Sequence, residues 1–537
     1  GSLRRKRLEM YRKAGRRRPE GLKMNKWILS GGLAAFLAAG LPWTASYGAP
    51  YAPGDPSFSE QWAFYNDGTF SIEEEKNRYA VYDDPFGQPW APGDWHFEEP
   101  ELLGMLVQVE RIRAAAGIDV GMADAWASYG EGKRDVVVAV IDTGVDISHE
   151  DLAGAIWVNE DEIPGNGLDD DGNGYADDVN GWNFYHNNNQ IYNGSEDSHG
   201  THGAGTIRAS SGNGVGISGM IPGDRVKLMP VKALGGGDGE GNTAALIKAI
   251  RYAEDNGASI CNLSLTSPTN DQALYCAIRD SSMLFVAAAG NDGKDIDRTP
   301  VYPASYELDN VISAANISCG GELHESSNYG VESVDLAAPG SYILSTTPGN
   351  TYSYMTGTSM AAPMVTGAAA MVWSHFDGIG AAEVKEILLN SVTPLDSLSG
   401  KVKTGGMLNV GAALRYDLGT LSGKAFEAGG HRPENGTAPH LEARTERTLA
   451  GLYLKVRVVD IDGDLDVLYY APGERNAEWF REREDCQSFT VSDRDIAAFR
   501  IDQAGVYTFY ARDRRGNDTA YTVRIADLRE GPGVLDQ

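Results

Sequence analysis

Between about residues 135 and 415 one pattern recurs: a largely apolar run, continuous at 136–141, a polar turn, then a segment with helical periodicity. The apolar runs cover 136–141, 226–231, 258–265 and 283–289, with a shorter one at 311–315, and helix-like stretches fall at 243–256 and 272–281. A strand that is apolar on both faces must be covered on both, and strands separated by helices run parallel. The pattern therefore predicts a three-layer α/β domain, a parallel sheet with helices on both faces. Ligands of such sheets bind outside the carboxyl ends of the strands. The polar residues that close these runs are the first candidates for chemistry.

After Tyr416 the character changes. Residues 418–440, rich in Gly, Pro, Asn and Glu, read as a linker. Short alternating segments follow at 453–459, 466–470, 497–501, 506–511 and 519–525, divided by turn signals such as Asp462-Gly463 and Arg515-Gly516-Asn517. About seven short strands without helices predict an all-β sandwich of roughly immunoglobulin size over 441–537.

At the other end, Lys23 and Lys26 flank Met24, an apolar run extends over 27–43, and small residues close it at 45–49. That order is the order of a secretory signal peptide, which makes the protein secreted and the basic stretch before it an upstream segment. The run is short for a membrane span, an uncleaved anchor being the alternative. Eleven of the 46 basic residues but only 2 of the 75 acidic ones lie in residues 1–49, so the rest of the chain is strongly acidic. An acidic body repels nucleic acid and anionic membrane surfaces. It suits solubility, bound cations or basic polypeptides. Four cysteines are too few for a disulfide scaffold, no CxxC zinc pattern occurs, and Cys261, inside an apolar run, is expected to be buried.

Amide hydrolysis by a serine needs a hydroxyl, a base, a group that orients the base, and donors for the oxyanion. Four segments offer these parts. Asp142-Thr143-Gly144 follows the first apolar run, where a carboxylate can hold an imidazole; alone, such a tripeptide is a common turn. His199-Gly200-Thr201-His202-Gly203-Ala204-Gly205-Thr206 has the small residues that let a helix pack closely while its first turn presents His199. A lone pair of histidines is more often structural or metal-binding, and HxxH lacks the Glu and the spacing of a zincin. Gly357-Thr358-Ser359-Met360-Ala361-Ala362-Pro363 opens a helix near Ser359, whose start supplies a backbone N–H. Ala287-Ala288-Ala289-Gly290-Asn291 ends a strand with an amide side chain suited to an oxyanion hole.

Together these segments, across most of residues 118–415, resemble the subtilisin-like serine protease family, with Asp, His, Asn and Ser in its order. The resemblance implies that Ser359 is the nucleophile and His199 the base and then the acid. Asp142 would orient His199, Asn291 would bind the oxyanion with the Ser359 N–H, and His202 would be structural. It further implies that Ser264, Leu265 and Thr266 belong to a segment that pairs with substrate backbone. Thr266 and Ser267 stand where the family usually has glycines. Val301 falls near the floor of the pocket for the residue at the scissile bond, where a glycine is frequent, and hints at a smaller pocket.

The run 169–178 spaces oxygen ligands as the first nine positions of a calcium loop do, with Asn180 where a bidentate Glu would close it. Asp169, Asp171, Asn173, Tyr175, Asp177 and Asp178 are its candidate ligands for a structural Ca²⁺, against the alternative of a solvated acidic turn. Asp151 and the Asn213 turn match a second calcium site of the family. The stretch 55–62 resembles the start of a mature bacterial domain, so the catalytic domain is expected over 50–417 with an insertion at 66–115. That leaves little room for the usual propeptide: either 50–115 is an unusual pro-segment or the enzyme folds without one.

The reading is a secreted endopeptidase acting on polypeptides, monomeric and without a nucleic-acid partner. Its alternatives are a protein that binds a cell surface or substrate through the β-sandwich, and a processing protease of narrow specificity. Intact Asp142, His199, Asn291 and Ser359 favour activity over a mere scaffold.

Overall fold

Nine strands form the central sheet of the computed structural model. From edge to edge they are Thr393–Pro394, Gly406–Met407, Leu336–Pro339, Val311–Ile317, Leu284–Ala288, Ile260–Leu263, Val136–Asp142, Val226–Lys232 and Trp182–Asn183. Every pairing is parallel except the outermost, Thr393–Pro394 with Gly406–Met407. The structure describes residues 53–78, 106–236, 239–422, 438–448, 451–460, 465–481, 486–491, 496–501 and 503–525. The expected signal peptide and most of the linker lie outside these. No helix among the described residues is long and apolar enough to cross a membrane.

The runs read from sequence all became strands, trimmed or extended by one or two residues, and nearly all of their side chains are buried. Because alternate residues face opposite ways, each strand feeds two cores. Val138, Val140 and Ile260 pack with the helix Thr358–His375 on one face. Ala139, Ile141 and Cys261 pack with the helices Thr243–Asp255 and Gln272–Arg279 on the other. Two helical layers over one parallel sheet is the predicted α/β arrangement. Cys261 is fully buried and unpaired, as its apolar run implied.

The segment 55–64 is part of this domain. Trp62 and Phe64 are each 1% exposed, and the Trp62 indole donates to the Ser341 carbonyl at 3.0 Å. The insertion after it begins and ends as an antiparallel hairpin, Ser71–Arg78 with Leu106–Arg113; its middle lies outside the described residues.

Beyond the linker stand two antiparallel sheets, one of three strands and one of four, which share an apolar core that includes Leu454, Val456, Phe509 and Val523. The strand His440–Thr448 had no counterpart in the sequence reading, because its charged alternation, Glu442, Arg444, Glu446, hides the period. The expectation of no helices is corrected by a short one, Ala477–Arg481, which buries Phe480 against Tyr510.

Candidate active site

The strand Val136–Asp142 ends by placing Asp142, 1% exposed, at the carboxyl edge of the sheet. The helix Ser198–Arg208 brings His199 onto it, with Nδ1 2.8 Å from Asp142 Oδ1 and 3.0 Å from Oδ2. Close approach requires glycine at two places. A Cβ on Gly200 would lie 2.2 Å from the Gly144 carbonyl oxygen, and one on Gly144, whose φ is +118°, would lie 2.5 Å from the Ile191 carbonyl. Gly200 N–H also donates to Thr143 Oγ1 at 3.1 Å, tying the helix start to the turn. The Asp142 carboxylate pushes the His199 pKa above the ordinary 6.5, outweighing burial.

Ser359 is the second residue of the helix Thr358–His375. Pro363 sits four residues on and has no N–H to give to the Ser359 carbonyl, the bond an α-helix would make there. Ser264 supplies it instead, its hydroxyl donating to Ser359 O at 3.0 Å, while Ser359 Oγ donates to Ser264 O at 3.2 Å. Among the described residues no hydrogen bond joins Ser359 to His199. To give a proton to the imidazole the hydroxyl would have to turn away from Ser264; such contacts often tighten only with a substrate in place. Asn291 is exposed, yet its amide is oriented: Oδ1 accepts from Thr358 N at 2.8 Å and from Thr358 Oγ1 at 3.1 Å. Its Nδ2 donors are thereby turned away from Thr358, as an oxyanion donor must be.

His202 is fully buried, with Nε2 2.9 Å from the Ile343 carbonyl, and burial drives its pKa down to about 4. A neutral ring on a carbonyl must carry its proton on Nε2, so His202 is a donor that joins the helix to the strand Ile343–Thr347 rather than a base.

An open cleft of about 770 Å³ passes His199 and Thr143 and is walled by Ser264, Leu265 and Thr266. Those three sequence candidates therefore meet at one surface. Val301 does not join them. It is 8% exposed in the apolar cluster under the sheet, and the neighbouring Tyr302 faces the cleft instead. Tyr302 exchanges two backbone hydrogen bonds with Ser267, both 2.8 Å, which ties one wall to the next.

Lys232, missed in the sequence, is fully buried behind the dyad. Its ammonium donates to the Thr143 carbonyl, to Asp197 Oδ1 at 2.6 Å and to Glu196 Oε1 at 3.0 Å. It fastens the turn after Asp142 to the start of the His199 helix. The available signal was a lysine closing an apolar run.

The acidic loop forms a carboxylate cluster that includes one residue outside the expected spacing. Ligand oxygens of Glu162, Asp171 and Asp178 lie within 4.8 Å of one another, and Glu162 and Asp178 are buried. Asp169 and Asp177 are taken up by the loop's own backbone: Asp169 accepts from the N–H groups of Gly172, Asn173 and Gly174, and Asp177 from those of Gly165, Asn166 and Gly167. Asn173 donates to Asp171 and Asp178, and the Tyr175 ring packs on Trp182, Phe184 and Tyr252. Asp151, elsewhere and fully buried, accepts from Asn213 Nδ2 at 2.8 Å, Ile217 N at 2.9 Å and Tyr352 OH at 3.2 Å. Glu162 escaped the sequence reading because it precedes the motif by seven residues.

Residues 133–412 match the subtilase family. The chain is 39% identical over 283 residues to the major intracellular serine protease of Bacillus subtilis (strain 168), covering 51% of this chain and 80% of the relative. Subtilisin DY of Bacillus licheniformis is 35% identical over 306 residues, covering 55% and 97%. Thermitase of Thermoactinomyces vulgaris is 33% identical over 296 residues, covering 54% and 92%.

Proposed function

The chain belongs to the subtilase family of serine-type endopeptidases, and from that premise we propose a secreted enzyme that cleaves polypeptides through Asp142, His199 and Ser359. The observation that carries the residue assignment is the buried Asp142 holding His199 Nδ1 at 2.8 Å in a cleft that Ser264 also lines, with the Ser359 hydroxyl on the Ser264 carbonyl. His199 Nε2 takes the Ser359 proton as Oγ attacks the substrate carbonyl carbon. The oxyanion receives hydrogen bonds from Asn291 Nδ2 and the Ser359 N–H. His199⁺, stabilised by Asp142, then protonates the leaving amine, and water repeats the sequence in reverse to release the acyl group. Secretion is supported by the basic, apolar and small-residue order at 23–49. We read the C-terminal domain as an immunoglobulin-like sandwich, supported by its two sheets over one core.

Because His199 must be neutral to act, and Asp142 raises its pKa above 6.5, kcat/KM is expected to fall as pH drops through that raised value. In Asp142→Asn the residual activity should show its acid limb at lower pH, because the neutral amide no longer stabilises the imidazolium. A pH profile with the same midpoint in both proteins would remove Asp142 from this role.

Structural calcium fits the cluster of Glu162, Asp171 and Asp178. Three carboxylates crowd together, two of them buried, and hard oxygen donors are what Ca²⁺ takes. These three residues would hold the ion, which would supply charge neutralisation and tie the loop together. At calcium a hundredfold above Kd the stabilisation is about 2.7 kcal/mol, so chelation is expected to lower Tm by roughly 5 °C. Asp178→Asn should abolish that calcium dependence.

Cleavage of unfolded casein, with calcium and with chelator, tests the function as a whole. Proteolysis that calcium enhances at raised temperature is expected. Folded, calcium-loaded protein that leaves both casein and short ester substrates intact would overturn it.

A further inference from the structure

The three-stranded sheet of the C-terminal domain uses both faces. In the strand Gly451–Val459, Leu454, Val456 and Val458 turn into the core between the two sheets. Side chains alternate along a strand, so Arg457 and Val459 point the other way, toward the catalytic domain. Val459 is 4% exposed and belongs to the same apolar cluster as Ala273, Leu274 and Tyr306. Arg457 Nη1 donates to Asp271 Oδ2 at 3.0 Å, an ion pair whose side chains are 18% and 7% exposed.

Asp271 gives this contact its consequence. Its other oxygen accepts from the N–H groups of Ala273 and Leu274 at 3.0 and 3.1 Å, capping the helix Gln272–Arg279. Tyr306 donates to its carbonyl at 2.9 Å. Asp271 and Leu274 both line the cleft, with Leu246 and Leu265, and neither hydrogen-bonds to Asp142, His199, Asn291 or Ser359. One carboxylate thus holds a helix start in the cleft wall with one oxygen and the second domain with the other. A buried carboxylate stripped of its cation is strongly disfavoured and must move or rehydrate.

We propose that the C-terminal domain is a working part of the substrate cleft. Arg457 is a positioning residue that fixes Asp271, the helix start and Leu274 for the part of an extended polypeptide lying beyond the scissile bond. This rests on the cleft being the substrate site. Short substrates that engage only the nucleophile's surroundings have no use for the Arg457 contact, whereas long ones do.

The test is steady-state kinetics of the full chain, wild type, Arg457→Ala and Arg457→Lys, on a short acyl ester and on an eight-residue peptide, with Tm followed in parallel. In Arg457→Ala, KM for the octapeptide is expected to rise about tenfold with kcat within about twofold, and ester hydrolysis to be unchanged. Arg457→Lys, which keeps the charge, should recover most of the loss. Unchanged octapeptide KM would overturn the proposal, even with a lowered Tm, since the contact would then be structural only. So would an equal loss on ester and peptide. A wild type that gains nothing from the octapeptide over the ester would instead sink the reading of the cleft.

Discussion

Ser359→Ala is expected to leave a folded protein whose hydrolysis of casein and of short esters falls by at least about 10⁴-fold in kcat. The alanine cannot form the acyl bond, and nothing else in the segment 357–361 carries a nucleophile at that place: Thr358 Oγ1 is fully buried and bonded to Asn291 and Gly290. Stability should change little, because among the described residues the side chain makes one hydrogen bond, the 3.2 Å contact to the Ser264 carbonyl, worth on the order of 1 kcal/mol. Two measurements check this: kcat, and labelling by a serine-directed phosphonate read as a mass increase. Retained turnover together with retained labelling would move the nucleophile elsewhere.

The second large effect is expected at Asn291. Asn291→Ala should lower kcat by about 10²–10³-fold with KM nearly unchanged, the magnitude for loss of one oxyanion donor, for which a subtilisin is the type case. The split follows from the chemistry: the amide meets charge that exists only once the carbonyl has been attacked, so ground-state binding hardly registers its loss. Thr358 provides a second handle. Its N–H and hydroxyl both hold the Asn291 carbonyl oxygen, so Thr358→Ala, which removes one of the two, should give a smaller loss of the same kind. A rise in KM at constant kcat in Asn291→Ala would make Asn291 a binding residue instead.

The fold was legible wherever a run was apolar on both faces. The stretches 136–141, 226–231 and 311–315, short and largely apolar, read as interior strands, and they are interior strands. Legibility failed where the core is thinner. The strand His440–Thr448 carries charge at 442, 444 and 446, which masks its alternation. The helix Ala477–Arg481 is too short to show a period.

The site was legible in part for a related reason. Asp142, His199, Asn291 and Ser359 each stand at the end of a strand or the start of a helix, among glycines and small residues whose presence has no other local explanation. Val301, expected near a pocket floor, is buried in an apolar cluster with Tyr306, its N–H donating to Ser305 Oγ, while Tyr302 lines the cleft; such burial is not readable from a loop sequence.

The sequence by itself determined the sheet, the chemistry on offer and the order in which its parts arrive, because hydrophobic period and helix-start chemistry are local properties of a chain. Only the tertiary structure decided which charges meet. Lys232 finds Asp197 from 35 residues away, Glu162 joins Asp171 and Asp178 while Asp169 and Asp177 are spent on the loop's own backbone, and Arg457 reaches Asp271 across 186 residues. The physical reason is that a charge carries no period. Its partner is set by which elements the apolar core brings together, and that is fixed only when the whole chain has packed.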